Sequence, residues 1–289
     1  MAGSGRAQER LENIQSVEPI LSALRTVSQA SMQNARRRLQ GASRYGQDLV
    51  EMASWLPEED QGDEPVEEAA ARTLVIVLGS DRGLVGTFNN DAVDALVGKL
   101  AALGEQGDEV ETWALGQRLK APLAREEIAP DREERFAPGS VPGYQRAYDL
   151  AGLIQERVQE GGVDRVLVVF NRLVRADRAR PVIEQLLPVA LARYQGGGDA
   201  PDWPPPILDT DPEGLRARIE RQALEVNLYR LLLTSSAAEH ATRFHLLEDA
   251  AQNMDRLTEE LEMEVQLMRQ QAITTEMMDL ITAAGLIKS

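Results

Sequence analysis

Residues 73–91 read TLVIVLGSDRGLVGTFNND, and this stretch decides the fold. The run from Leu74 to Leu78 is continuously apolar, as a strand covered on both faces of a sheet must be. Gly79, Gly83 and Gly86 punctuate the turn that follows, and a helical pattern resumes at Asn90. Strand, glycine-rich turn and helix are the parts of a phosphate-binding loop. A Walker loop has the form GxxxxGK followed by Ser or Thr. Here Gly79 and Gly86 enclose six residues, and Thr87-Phe88 follows the last glycine. A dinucleotide fingerprint fails too, because the spacing is GxxxGxxG and no acidic residue ends the second strand. The glycines read as a structural strand-to-helix turn, with Gly83 or Gly86 expected at positive φ.

Working outward, strand-like runs cover residues 73–78, 110–115, 163–170 and 181–187, with amphipathic helical stretches at 90–103 and 144–158. That alternation predicts a central Rossmann-like open α/β domain over residues 72–194. The run QGGGDAPDWPPP opens a Pro/Gly-rich linker at 195–210.

Upstream, residues 7–55 carry apolar side chains at steps of three and four, including Leu11, Ile14, Leu21, Leu24, Met32, Leu39 and Leu49. The pattern predicts an N-terminal helix within residues 1–56, roughly 70 Å long. Pro19 predicts a kink or a helix start inside it. An acidic linker, 57–71, follows; its core, PEEDQGDEPVEE, holds seven acidic residues and reads as a solvated loop.

Downstream, the segment 211–289 is expected to be a second long helix, running to about residue 287, with Asp211 placed to cap it and Pro212 suited to the first helical position. Helices this long need a partner face. The expected architecture is therefore an α/β fold in which the N- and C-terminal helices form a long antiparallel two-helix coiled coil around the central domain. The second helix outruns the first. About 40 Å beyond Leu261 is left projecting, with Leu267, Met268, Ile273, Met277, Met278, Leu280, Leu286 and Ile287 along it. Apolar surface of that extent marks a binding site.

Composition narrows the function. The 289 residues are 43% hydrophobic but only 4% aromatic, a mixture that favours long helices. With no cysteine, disulfides and thiolate metal sites are excluded. A net charge of −16 argues against nucleic acid as a partner. No apolar run reaches the roughly 18 residues of a membrane span, and no export signal is visible, so a cytosolic protein or one held at a membrane by a partner is expected. His240 and His245 fall on different helix faces, which argues against a shared metal; His240, beside Ser235, Ser236, Ala237 and Ala238, reads as a close helix contact. The run Arg36-Arg37-Arg38 fits a partner patch or a solvated face equally well. No catalytic set, cofactor site or metal site is assembled from these residues.

Four stretches together resemble the gamma subunit, or central stalk, of F-type ATP synthases. SDRGLVGTFN at residues 80–89 is similar to that family's glycine turn, with Val85 where cysteine is usual. Glu184 to Pro188 resembles its Glu-Gln-Leu-Leu-Pro strand end. Ser235, Glu239, His240 and Arg243 match its Ser-Glu-His-Arg region, with Ala238 at a common serine position. Arg269, Gln270, Ile273, Thr274 and Glu276 match its C-terminal signature. The first helix departs from the pattern: the usually basic positions hold Glu12, Gln15, Pro19, Ser22 and Ser31.

The resemblance implies a non-catalytic rotor shaft without a cofactor. Its partners would be the alpha and beta subunits of the catalytic ring, the epsilon subunit and the membrane rotor c-ring, at the cytoplasmic face of the cell membrane. It implies contacts with the ring through Arg269, Gln270 and Thr274, and a structural role for Gly79, Gly83 and Gly86. The alternatives are a diverged scaffold subunit of a related ATPase assembly, and a standalone nucleotide-binding α/β protein with a coiled-coil arm.

Overall fold

A computed structural model of the chain describes residues 2–54, 56, 71–175, 178–188 and 211–283. The acidic loop, the Pro/Gly-rich linker, Leu286 and Ile287 lie outside the described residues. The chain divides into two compact units, Gln29–Arg243 and Met1–Ser28 with Phe244–Ser289.

In the first of these units the sheet has five strands: β1 (Arg72–Leu78), β2 (Glu109–Leu115), β3 (Arg132–Glu134), β4 (Arg165–Arg175) and β5 (Arg178–Leu187). Their order is β3-β2-β1-β4-β5, parallel throughout except for the β4/β5 hairpin. The three-residue β3 escaped the sequence reading because Arg-Glu-Glu has no apolar pattern; it pairs at an edge, Trp113 opposite Arg132. A 3-10 turn (Gln117–Leu119) and a short helix α3 (Lys120–Arg125) also lie between β2 and β3.

Period-two alternation assigns the sheet's two faces. Leu74, Ile76, Leu78, Val166, Val168 and Phe170 join one core with helix α4 (Tyr144–Gln159) and with Leu224, Leu228, Leu231 and Leu232 of helix α5 (Pro212–Ala283). Val75, Val77, Leu167 and Val169 join the other core, under helix α2 (Phe88–Glu105) and α3. Burial on both faces is why β1 is apolar at every position after Thr73.

Helix α1 spans Ala2–Ser54 and passes through Pro19 without a helix start. The carbonyl that loses its hydrogen bond lies one turn earlier, and residues 15–20 are all exposed, so water can satisfy it. Helix α5 begins as its sequence dictates. The Asp211 carboxylate accepts the Gly214 N–H at 2.9 Å, and the Asp211 carbonyl accepts the Leu215 N–H at 3.0 Å.

Helices α1 and α5 touch within each unit. Leu49 is buried with Ala223 and Val226, and the Tyr45 hydroxyl donates to Gln222 at 3.3 Å. In the other unit Arg25 pairs with Glu248 at 2.9 Å. There Ala7 and Leu261 are buried, and beyond Leu261 the side chains of Met263, Leu267, Ile273, Met277, Met278 and Leu280 are each more than half exposed. The structure is thus a mixed α/β fold with a five-stranded sheet and a long C-terminal helix.

Candidate functional site

In an open parallel sheet, ligands bind outside the carboxyl ends of the strands where the strand order reverses. Here the reversal falls between β1 and β4, and the glycine turn leaves β1 at that point. The fold therefore builds the crevice that a nucleotide would use, and its occupant decides the function of the loop.

The polar groups of the turn are committed inside the protein. Ser80 donates its N–H to the Asn89 side chain at 2.8 Å, and its hydroxyl is bonded to the same amide. The Asp81 carboxylate accepts backbone N–H groups from Gln117, Phe136 and Ala137, each at 3.1 Å. Asp81 thereby pins two neighbouring loops to the turn. Gly79 sits so close to Leu119 and Asn89 that an added Cβ would lie 2.4 Å from the Leu119 side chain. Gly86 takes φ 53°, whereas the second residue at positive φ is Leu84, at 61°, and not Gly83.

Helix α5 closes the crevice. Ala238 is buried with Val85 and Phe88, beside Leu173 and Ala179 at the β4/β5 hairpin. One turn further on, the buried Arg243 donates from Nε to the Gly83 carbonyl at 3.1 Å and from Nη2 to the Glu239 carboxylate at 2.5 Å. Its Nη1 lies 3.2 Å from His240 Nδ1. The other ring nitrogen, Nε2, lies 2.6 Å from the carbonyl oxygen of Ser140.

These contacts fix the protonation of His240. Nε2 must carry the hydrogen that the Ser140 carbonyl accepts, so Nδ1 is left as the acceptor for Arg243. Burial, reinforced by the charge of Arg243, pulls the imidazole down to about 4, against the favourable bond to Ser140. Burial pushes the Glu239 carboxyl up, against the opposing pull of Arg243. A phosphate site presents N–H groups and positive charge to its ligand. This turn presents the Gly83 carbonyl, and the chain's own guanidinium occupies it.

Glu184, in the second motif, bridges strand and helix: it accepts from Arg172 on β4 and from Arg230 on α5, the latter at 2.8 Å. Resemblance alone gives the positions of Glu239, His240 and Arg243, and the close helix contact expected of His240 proves to be hydrogen-bonded at both ring nitrogens. The i,i+4 spacing of Glu239 and Arg243 was the signal for the buried ion pair. Nothing local to Asp81 announces its three N–H donors, which come from distant loops. The remaining candidates are not drawn into this site. Arg269 and Gln270 are exposed on α5, and Thr274 donates to the Gln270 carbonyl at 2.8 Å. Arg36 and Arg37 are exposed, while Arg38 reaches the Pro142 carbonyl at 3.4 Å. Among the described residues, no group of His, Asp and Glu is suited to hold a metal, and no helix is long and apolar enough to cross a membrane.

The family model for ATP synthase matches residues 5–285. The ATP synthase gamma chain of Stenotrophomonas maltophilia is 26% identical over 291 residues, 99% of this chain and 100% of that one. That of Parabacteroides distasonis is 27% identical over 279 residues, 96% of each chain. Among solved structures, a chain of the Euglena gracilis mitochondrial ATP synthase OSCP/F1/c-ring assembly aligns with TM-score 0.63 at 15% identity, covering 99% of this chain and 94% of that one. A chain of the central stalk and c-ring of the Tetrahymena thermophila mitochondrial ATP synthase aligns with TM-score 0.56 at 23% identity, covering 80% of this chain and 99% of that one. With a glycine turn closed by the chain's own Arg243 and a family match along nearly its whole length, this chain belongs to the ATP synthase gamma family.

Proposed function

We propose that this chain is the central rotor stalk of an F-type ATP synthase, doing no bond chemistry itself. It would couple ion passage through the membrane c-ring to ATP synthesis or hydrolysis in the alpha/beta ring, with the epsilon subunit bound to its α/β foot. The complex would stand at the cytoplasmic face of the cell membrane. The observation that carries this reading is the uncovered end of α5, where six large apolar side chains from Met263 to Leu280 lie more than half exposed. Surface of that kind needs an enclosing partner.

The stalk is read as an antiparallel coiled coil of residues 1–56 and 211–289. Contact between the two helices within each unit, Arg25 with Glu248 in one and Tyr45 with Gln222 in the other, supports their pairing. The foot is residues 72–194, joined to the helices through linkers at 57–71 and 195–210. Rotation then works by differential contact: each angle presents another face of the shaft to each catalytic site and biases its open or closed state. Arg269, Gln270 and Thr274 are the polar groups on the exposed end, and they are the ring contacts proposed. Gly79, Gly83 and Gly86 serve the turn and bind nothing.

The test is Arg269→Ala with Gln270→Ala in the reconstituted complex, with ATP turnover and ion pumping measured side by side. Assembly should persist, because the apolar end still seats the shaft, while turnover or coupling falls. Unchanged turnover and coupling would favour the non-rotating scaffold reading, which the non-basic Glu12, Gln15, Ser22 and Ser31 also support.

A further inference from the structure

The chain is poor in aromatic residues, yet Tyr45, Tyr144 and Tyr148 are 42%, 42% and 54% exposed, and they gather around one stretch of α5. The Tyr45 hydroxyl reaches Gln222, and the Tyr144 hydroxyl donates to Glu225 Oε2 at 2.6 Å. Tyr144 also stacks edge-to-face on Tyr229, with centroids 5.6 Å apart. Beside them a notch of about 210 Å³ opens between α4 and α5, lined by Tyr148, Asp149, Leu153, Glu156, Arg221 and Glu225. That volume lies below the roughly 300–1,000 Å³ of small-molecule sites and suits one side chain.

Its chemistry selects the side chain. Glu225 is only 7% exposed, and among the described residues its carboxylate has no bond beyond the Tyr144 hydroxyl, so Oε1 is left without one. Asp149 accepts from Gln145 at 2.7 Å, and among the described residues Glu156 is in no ion pair. Arg221 lies on the notch wall and, among the described residues, forms no ion pair with any of the three carboxylates. A buried acid beside exposed tyrosine rings is matched by a planar guanidinium, which stacks on a ring and bonds a carboxylate through two N–H groups. Tyrosine-rich surface around a desolvated pocket is also the usual form of an interaction hot spot.

We propose that the notch between α4 and α5 receives an arginine side chain from a partner polypeptide. The proposal stands apart from the rotor reading, because its residues all belong to the Gln29–Arg243 unit and none is a ring contact. The first test titrates the full-length chain, carrying ¹³C-labelled tyrosine rings, with N-acetyl-arginine methylamide and with its lysine and citrulline counterparts. Saturable shifts at Tyr144 and Tyr148 are expected with arginine, about threefold weaker binding with lysine, and none with citrulline. Glu225→Gln should weaken the arginine affinity about tenfold. If that variant does not fold, Asp149→Asn with Glu156→Gln, both on the exposed rim, should weaken it about threefold. Equal shifts with citrulline, or no saturation with arginine, overturn the proposal. The second test places a photocrosslinking phenylalanine at Tyr148 in the complex isolated from the host. A crosslinked peptide that carries arginine and comes from another polypeptide supports the site. A peptide without arginine, a second copy of this chain, or no crosslink overturns it.

Discussion

Arg243 reaches across from α5 and donates Nε–H to the carbonyl oxygen of Gly83 at 3.1 Å, so the glycine turn is closed by the chain's own cation. The same guanidinium neutralises Glu239 at 2.5 Å, in a pair whose side chains are each 7% exposed. Removing one partner of a buried pair leaves an uncompensated charge, at a cost of about 3–5 kcal/mol. Arg243→Met should therefore lower the unfolding free energy of the full chain, read from its urea transition, by that order. Adding Glu239→Gln should restore part of the loss, because the stranded carboxylate is gone. A double variant less stable than Arg243→Met would contradict this account.

His240 makes the stability of the protein depend on pH. Its folded value, about 4, lies below the ordinary 6.5, so between these limits the unfolded chain binds a proton that the folded chain refuses. Stability from this group is complete above about pH 6.5, falls as the pH drops, and levels off below about 4, with a total near 3 kcal/mol. The raised carboxyl of Glu239 titrates in the opposite sense, losing stability as pH rises. The wild-type profile minus that of His240→Asn isolates the histidine. A flat difference between pH 4 and 6.5 would remove the neutral-imidazole assignment.

The three glycines of the turn are not equivalent. Gly79→Ala would put a methyl 2.4 Å from Leu119 Cγ and 2.7 Å from Asn89 Oδ1, overpacking that costs about 1–3 kcal/mol. Gly86→Ala would hold an alanine at φ 53°, at about 1–2 kcal/mol. Gly83→Ala should be close to neutral, since the nearest atom to an added Cβ is Arg118 Nη2 at 3.7 Å. Calorimetric melting of the three variants checks the order. No ATP affinity should change in any of them, because the turn's carbonyl is already held by Arg243.

The sheet was legible in the sequence where burial imposes a pattern. Val75 and Val77 face one core while Leu74, Ile76 and Leu78 face the other, so β1 is apolar throughout. The cap at Asp211 was legible because capping is local. Three features were not. Strand β3 is held by its neighbour's backbone, with no apolar side chain of its own. Pro19 carries a strong helix-breaking prior, which yields where the freed carbonyl can meet water. The site itself depends on pairs far apart in sequence, such as Asp81 with Phe136 and His240 with Ser140. Only Glu239 and Arg243, one helical turn apart, left a mark that a single sequence can show.

Helix α5 is of two kinds along its length. Between Leu224 and Ala241 it is buried against the sheet and its neighbours, whereas beyond Leu261 six large apolar side chains, from Met263 to Leu280, are more than half exposed. Both segments have the same backbone hydrogen bonds, so any difference in opening free energy must come from tertiary packing. Hydrogen exchange on the isolated full chain should find amides near Leu228, Leu231 and Leu232 opening only with global unfolding. Those from Met263 to Thr282 should open with a free energy several kcal/mol lower. Assembly into the complex should then slow exchange selectively beyond Leu261, since an enclosing partner supplies the contacts that the free chain lacks. Uniform strong protection along α5 in a proven monomer would remove the unpartnered-end argument, and with it the main structural support for the rotor reading. No gain in protection on assembly would show that the exposed end meets nothing there.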